Sequence, residues 1–170
     1  SKLREENHDP LAYRYFLLTA HYRKELSFSY EALEAASVAY HRLVDYVLHN
    51  KTASGHVISK YMHLAHTALS NDLATPEVIA TIWKLMKDEE VTEVDRYITL
   101  VALSDLLGLG LHEVAEKGLE IPEVVEELLK ERAQARTSKE FALSDNLRKE
   151  IESRGFSVKD TQNGQEVSKL

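Results

Sequence analysis

Arg136, Phe141, Asp145 and Asp160 are the residues whose types and spacing could do chemistry together. An aromatic ring can stack on an unpaired nucleic-acid base, a guanidinium can bind a base edge or a phosphate, and a carboxylate can accept hydrogen bonds from base amino or imino groups. The sequence spreads the four over two helix ends and a following strand, which can converge on one small pocket. The competing reading, a core phenylalanine with surface ion pairs, is the one that residue types alone favour. Around them Lys130, Arg132, Arg136, Lys139, Arg148, Lys149, Arg154 and Lys159 are dense. That density suits a phosphate backbone, and it suits a solvated helix face at least as well.

Other combinations are weaker. His63 and His66 are three apart on one helical pattern, but no carboxylate follows at a matching step, and His112–Glu113 lacks the second histidine of a zinc-protease motif. Both readings end in a surface or structural role, so no metal site is expected. No glycine-rich phosphate loop, nucleophile elbow or paired-carboxylate motif occurs, and no catalytic residue is assigned. His21, Tyr22 and Arg23 stand consecutively at a helix end, where capping of carbonyls and filling of a helix seam is the favoured role. Arg14, between Tyr13 and Tyr15, can pair with an acid of a neighbouring helix or reach toward RNA.

The elements that must carry these residues follow from periodicity. Leu11, Tyr15, Leu18 and Tyr22 recur at helical steps after Asp9 and Pro10, a cap and a first-turn proline. Ser29 opens a second helix through Leu48, carrying Leu33, Ala36, Tyr40, Leu43, Val44 and Val47. After the polar break His49–Gly55, the residues Val57, Tyr61, Leu64 and Ala68 mark a third. Thr75 and Pro76 repeat the cap-then-proline start for a fourth through Met86. A fifth begins near Thr92 and ends at Gly108 and Gly110. Residues 112–120 are weakly periodic and hold the domain boundary. Helices over 122–136 and 141–154 follow, then Phe156 and Val158 alternate with polar residues up to Asn163–Gly164, a hairpin signal. The expectation is a mainly α chain: a five-helix antiparallel-type bundle over residues 1–115, then a small α+β domain of two helices and a terminal β-hairpin over 116–170.

Composition narrows the class. The 170 residues (19.4 kDa) are 44% hydrophobic and 29% charged, as in a packed globular protein, and are too few for most complete two-substrate ATP-using enzymes. The net charge is −7. It splits into −6 over residues 1–120 and −1 over residues 121–170, which argues against nucleic-acid binding by bulk charge and toward a local site in the tail. There are no cysteines, so disulfides, thiolate zinc sites and cysteine nucleophiles are excluded. Stretches such as Tyr15–Ala20 and Tyr97–Leu103 are far below the ~20 residues needed to span a bilayer, and no secretory leader precedes them, so no membrane partner is expected. The chain starts at Ser1 and not at methionine, which points to an excised portion of something longer.

Particular runs carry a resemblance. Asp9-Pro10-Leu11-Ala12-Tyr13-Arg14-Tyr15-Phe16-Leu17-Leu18-Thr19-Ala20-His21-Tyr22-Arg23, followed by Leu26-Ser27-Phe28-Ser29, resembles the segment after the catalytic domain of cysteinyl-tRNA synthetases, of the class I aminoacyl-tRNA synthetases. Asn71-Asp72-Leu73-Ala74-Thr75-Pro76-Glu77 is similar to the family's Asp-Asp-x-Asn-Thr-Pro element, departing at Asn71 and Ala74. Arg132-Ala133-Gln134-Ala135-Arg136, Lys139-Glu140-Phe141-Ala142, Ser144-Asp145-Asn146-Leu147-Arg148 and Gly155-Phe156-Ser157-Val158-Lys159-Asp160-Thr161 extend it to the C-terminal pattern.

The resemblance implies a helical bundle that contacts tRNA and a small anticodon-binding domain, with Arg136, Asp145 and Asp160 at positions that read anticodon bases. Phe141 matches a position usually held by tryptophan, and Val167 stands where the family has a late aromatic. Arg132, Lys139, Arg148 and Lys159 are the expected contacts to the tRNA backbone. The signatures His-Ile-Gly-His and Lys-Met-Ser-Lys-Ser and the zinc-holding cysteines are absent. ATP and zinc are therefore expected only in a catalytic domain outside this sequence, and none in this fragment, which would be inactive alone. The implied parent ligates cysteine to tRNA(Cys) in the cytoplasm, with that catalytic domain and the tRNA as partners and no DNA. The rivals are a free-standing protein-interaction module derived from such a synthetase, and the related cysteine ligase of mycothiol synthesis, which lacks the tail.

Overall fold

The structure is a computed structural model that describes residues 8–52, 54–119, 121–161 and 164–170. It divides into two compact units, His8–Gly118 and a second that contains Leu119–Leu170. The division lies three residues beyond the 115/116 boundary read from the sequence. Its cause is a short helix, Leu111–Lys117, that buries Leu111 and Ala115.

In the first unit the helices are α1 (Pro10–Leu18), α2 (Tyr30–His49), α3 (Ser59–Ser70), α4 (Thr75–Lys87), α5 (Glu93–Leu107) and α6 (Leu111–Lys117). α1 packs on α2, α3 on α4, α4 on α5, α5 on α6, and α6 returns to α2. Each start has a chemical reason where a cap exists. Asp9 accepts from the Leu11 amide, Ser29 from the Ala32 amide and Thr92 from the Asp95 amide, each satisfying a helix donor that has no intrahelical partner. Tyr40, Leu43, Tyr61, Ile82, Leu85 and Leu100 lie in the core, and the Tyr40 hydroxyl donates to the Leu109 carbonyl at 2.8 Å. α5 ends on Gly108 at φ +62, with the Leu109 amide reaching back to the Ser104 carbonyl. A Cβ at Gly108 would lie 2.5 Å from Arg14 Nη1, so the Arg14 guanidinium rests at the carbonyl end of α5, where positive charge is favoured.

The mainly α chain with a terminal hairpin is as expected, but five local expectations change. α6 is a sixth helix of only seven residues, too short to show periodicity. α1 stops at Leu18, so Tyr22 is outside it. Tyr22 and Arg23 converge on the Asp72 carboxylate (2.6 and 3.0 Å) and His21 Nε2 lies 3.0 Å from the Asp72 carbonyl, in place of capping α1. On α3 the buried stripe is Tyr61, Ala65 and Ala68, while Leu64 is exposed, as is Val57, which lies before the helix. Thr75 is helical and does not cap; its hydroxyl donates to the Leu18 carbonyl at 3.1 Å, an acceptor left open by the end of α1.

In the second unit, α7 (Glu123–Thr137) and α8 (Phe141–Ser153) pack together, and α8 packs on β1 (Phe156–Thr161), which pairs antiparallel with β2 (Gly164–Lys169). Of the turn read at Asn163–Gly164, Asn163 lies outside the described residues, and Gly164 is the first residue of β2. The register sets Val158 opposite Val167 and Asp160 opposite Gln165. Val125, Leu128, Ala135, Leu147, Ile151, Phe156 and Val158 form the core, with Val167 packed against it. The core aromatic is therefore Phe156.

The link between α7 and α8 is tight. The Glu140 amide reaches the Ala135 carbonyl and the Lys139 amide the Arg136 carbonyl, with Lys139 left-handed at φ +61 where glycine is usual. Lys139→Gly is expected to stabilise the unit by about 0.5–1 kcal/mol by removing that strain. The check is the denaturant midpoint, and a midpoint that stays put or falls contradicts the assignment.

Candidate nucleic-acid interface

On β1, alternate residues share a face. Phe156 and Val158 point into the core, so Asp160, two residues further, lands at the edge of that same face, above the helices. On α7 the buried positions Val125, Leu128, Arg132 and Ala135 follow three- and four-residue steps, which brings an arginine into the buried stripe. The two facts meet. Arg132 Nη1 and Nη2 donate to Asp160 Oδ1 and Oδ2, both at 2.9 Å, in a bidentate pair.

Gln165, opposite Asp160 in the hairpin, accepts from Arg132 Nη1 through its carbonyl oxygen and donates from its amide nitrogen to the Leu129 carbonyl at 2.9 Å. Asp160 Oδ2 also lies 3.1 Å from Arg136 Nη1 and 3.5 Å from Arg148 Nη2. Three guanidiniums thus surround one carboxylate. The Arg132 side chain is 0% exposed, Asp160 31%, Arg136 40% and Arg148 39%. The hydrogen bonds from Arg132, aided by the charges of Arg132, Arg136 and Arg148, hold the Asp160 carboxyl below the usual carboxylate range against the opposing effect of burial.

Phe141, Asp145 and Arg148 are four and then three residues apart, so they occupy one face of α8. Phe141 opens the helix and is 60% exposed. Asp145 is exposed and has no ion pair among the described residues. Arg148 joins this face to the Asp160 cluster.

The expected residues therefore separate. Arg136 and Asp160 are in direct contact, and Arg148 connects them to the helix face of Phe141 and Asp145. Arg132, read as a cation for the tRNA backbone, is enclosed and cannot reach a phosphate, because its position on α7 belongs to the core stripe. Lys139 is exposed on the α7–α8 link. Lys159 is exposed and alternates with Asp160, so it faces the other side of the hairpin, opposite Glu166. Gln165 was not singled out by sequence reasoning, although its register with Asp160 follows from the hairpin once the turn is placed.

His63 and His66 are exposed on α3. Among the described residues no three His, Cys, Asp or Glu side chains are placed to hold a metal, and no helix is long and apolar enough to cross a membrane.

Comparison with known proteins covers both units. Residues 119–167 match the family described as the cysteinyl-tRNA ligase anticodon binding domain. The chain is 36% identical over 159 residues to cysteine-tRNA ligase 1 of Burkholderia lata, covering 94% of this chain and 33% of that protein. It is 34% identical over 171 residues to a cysteine-tRNA ligase of Novosphingobium aromaticivorans (92% and 35%), and 28% identical over 188 residues to one of Borrelia hermsii (98% and 39%). The chain spans roughly a third of the length of these curated relatives.

Proposed function

We propose, on the match of residues 119–167 to the family of cysteinyl-tRNA ligase anticodon-binding domains, that this chain is the tRNA-recognition portion of a ligase that joins cysteine to tRNA(Cys) with ATP. The anticodon is read by Arg136, Phe141, Asp145 and Asp160, with Lys139 and Arg148 beside them for the backbone. The residues that bind ATP and zinc, and the chemistry of ligation, belong to a catalytic domain outside this sequence, which is the second partner. The working site is the cytoplasm, with neither DNA nor a membrane as partner.

The observation that carries this reading is the exposure of Phe141. A phenylalanine left 60% in water at the first position of a helix serves no core, whereas a base stacked on it gains about 1–3 kcal/mol. Beside it stand an exposed carboxylate and two half-exposed guanidiniums, the donors and acceptors that unstacked bases need. Few directed contacts suffice, so a tail of charge −1 is compatible with RNA recognition.

The test is titration of an anticodon stem-loop for cysteine at low salt. Arg136→Ala and Asp145→Ala are each expected to weaken binding by about 1–3 kcal/mol. Binding by both variants equal to that of the unsubstituted chain would sink the proposal.

A further inference from the structure

We propose that Arg132 is the positioning residue of the base-reading face: it touches no RNA itself, and it sets the orientation of Asp160 and, through Asp160, of Arg136 and Arg148. The inference rests on the reading of the second unit as an anticodon reader, and it names a part of that site beyond the four readers.

A carboxylate on a strand edge held by one hydrogen bond can turn about its Cβ–Cγ bond. Arg132 removes that freedom, because its two parallel N–H groups engage both oxygens at 2.9 Å and its own position is fixed by complete burial. Gln165 locks the arrangement from the second strand, tying Arg132 to the Leu129 carbonyl through one amide. With its plane fixed, Asp160 presents Oδ2 to Arg136 and Arg148 at 3.1 and 3.5 Å. Both guanidiniums remain more than a third exposed, so they keep outward N–H groups for a ligand.

The cluster therefore holds two solvent-facing forks in fixed directions, with Asp160 Oδ1 carrying one spare acceptor site beside them. Fixed donors discriminate between base edges, whereas the same donors on freely moving side chains attract any phosphate. Lysine cannot take the place of Arg132, since an ammonium lacks the planar fork.

The test uses the full chain, with Arg132→Lys, Arg132→Met and Gln165→Ala. Affinity is measured for the cysteine anticodon stem-loop and for stem-loops with single anticodon substitutions, each over a range of salt, at temperatures well below the melting of each variant. Both Arg132 variants are expected to lose about tenfold in the ratio of matched to mismatched affinity, part of what a well-placed base contact supplies. The slope of affinity against salt should stay as in the unsubstituted chain.

A merely structural role for Arg132 would lower the active fraction for all RNAs alike and leave the ratio unmoved, and that result overturns the inference. So does a salt slope shallower by about 0.7, the mark of a lost contact to a single-stranded phosphate. Should both Arg132 variants fail to fold, Gln165→Ala decides: a loss of about two- to threefold in the ratio supports the inference and an unchanged ratio overturns it. An unsubstituted chain that does not discriminate at all overturns the anticodon reading itself, a result distinct from discrimination that survives in the variants.

Discussion

Asp160→Ala is expected to destabilise the second unit by about 3–5 kcal/mol, the size found when one partner of a buried ion pair is removed. Arg132 is fully buried, and with Asp160 gone only Gln165 remains as its acceptor among the described residues. The Asp160 side chain is 31% exposed, so water softens the loss and places it at the lower end of that range. A unit the size of Leu119–Leu170 has a total stability of only about 3–8 kcal/mol at 0.05–0.15 kcal/mol per residue. The substitution therefore removes a large part of what holds it.

The measurement is chemical denaturation, read together with the double variant Arg132→Met/Asp160→Leu. A core pair replaced on both sides by apolar groups is often neutral or stabilising, so the double variant should recover most of the loss. A cost for Asp160→Ala below about 1 kcal/mol, the level of an exposed pair, refutes the enclosed-arginine account. The pH dependence has a definite sign. Asp160 is held below the usual carboxylate range, chiefly by the hydrogen bonds from Arg132. Its contribution is complete above the ordinary aspartate value near 3.9 and is lost as pH falls through the lower folded value. Asp160→Ala should remove that part of the acid transition.

Why Arg132 escaped sequence reading, when the helices of the bundle did not, is a matter of signal. Long helices advertise themselves: α2 repeats Leu33, Ala36, Tyr40, Leu43, Val44 and Val47 over about four turns, and all six are buried. α6 carries only Leu111 and Ala115 in its seven residues, and two positions define no period. Arg132 looked like one more cation among eight in a solvated tail. The step pattern Val125, Leu128, Arg132, Ala135 was nevertheless present in the sequence, and a cation at a core position of such a stripe signals a buried partner. That partner is 28 residues away on a strand edge, so naming it required the hairpin register.

The reverse holds for Phe141. Its type favoured burial, and only the structure shows that Phe156 takes the core position while Phe141 stays in water. Thr75 was misassigned for a third reason. Cap chemistry read along the chain does not show that the Leu18 carbonyl, distant in sequence, competes for the same hydroxyl.

Raising the pH from 10 to 12 is expected to unfold the first unit cooperatively. All eight tyrosines lie between Tyr13 and Tyr97, so phenol ionisation acts on the bundle alone. Burial pushes the Tyr61 hydroxyl up to about 12, reinforced by its hydrogen bond to the Asp88 carboxylate. Burial also raises Tyr40, whose hydroxyl donates to the Leu109 carbonyl, and Tyr15, Tyr46 and Tyr97. A group whose folded value is raised contributes stability that is complete below its unfolded value near 10 and is lost as pH rises through the folded one.

A tyrosinate at position 61 would face a carboxylate, and one at position 40 a carbonyl dipole, so the ionised side chains are driven out of the core. The observable is tyrosinate absorbance followed alongside helical circular dichroism. The buried tyrosines should ionise late and together with the loss of helix. Tyr61→Phe should make the decline with pH shallower, because it deletes the group with a value near 12 while keeping the ring that fills the core. Ionisation of the buried tyrosines near pH 10 with the helix signal intact would show that these phenols are open to water, and that Tyr40 and Tyr61 do not close the core of the bundle.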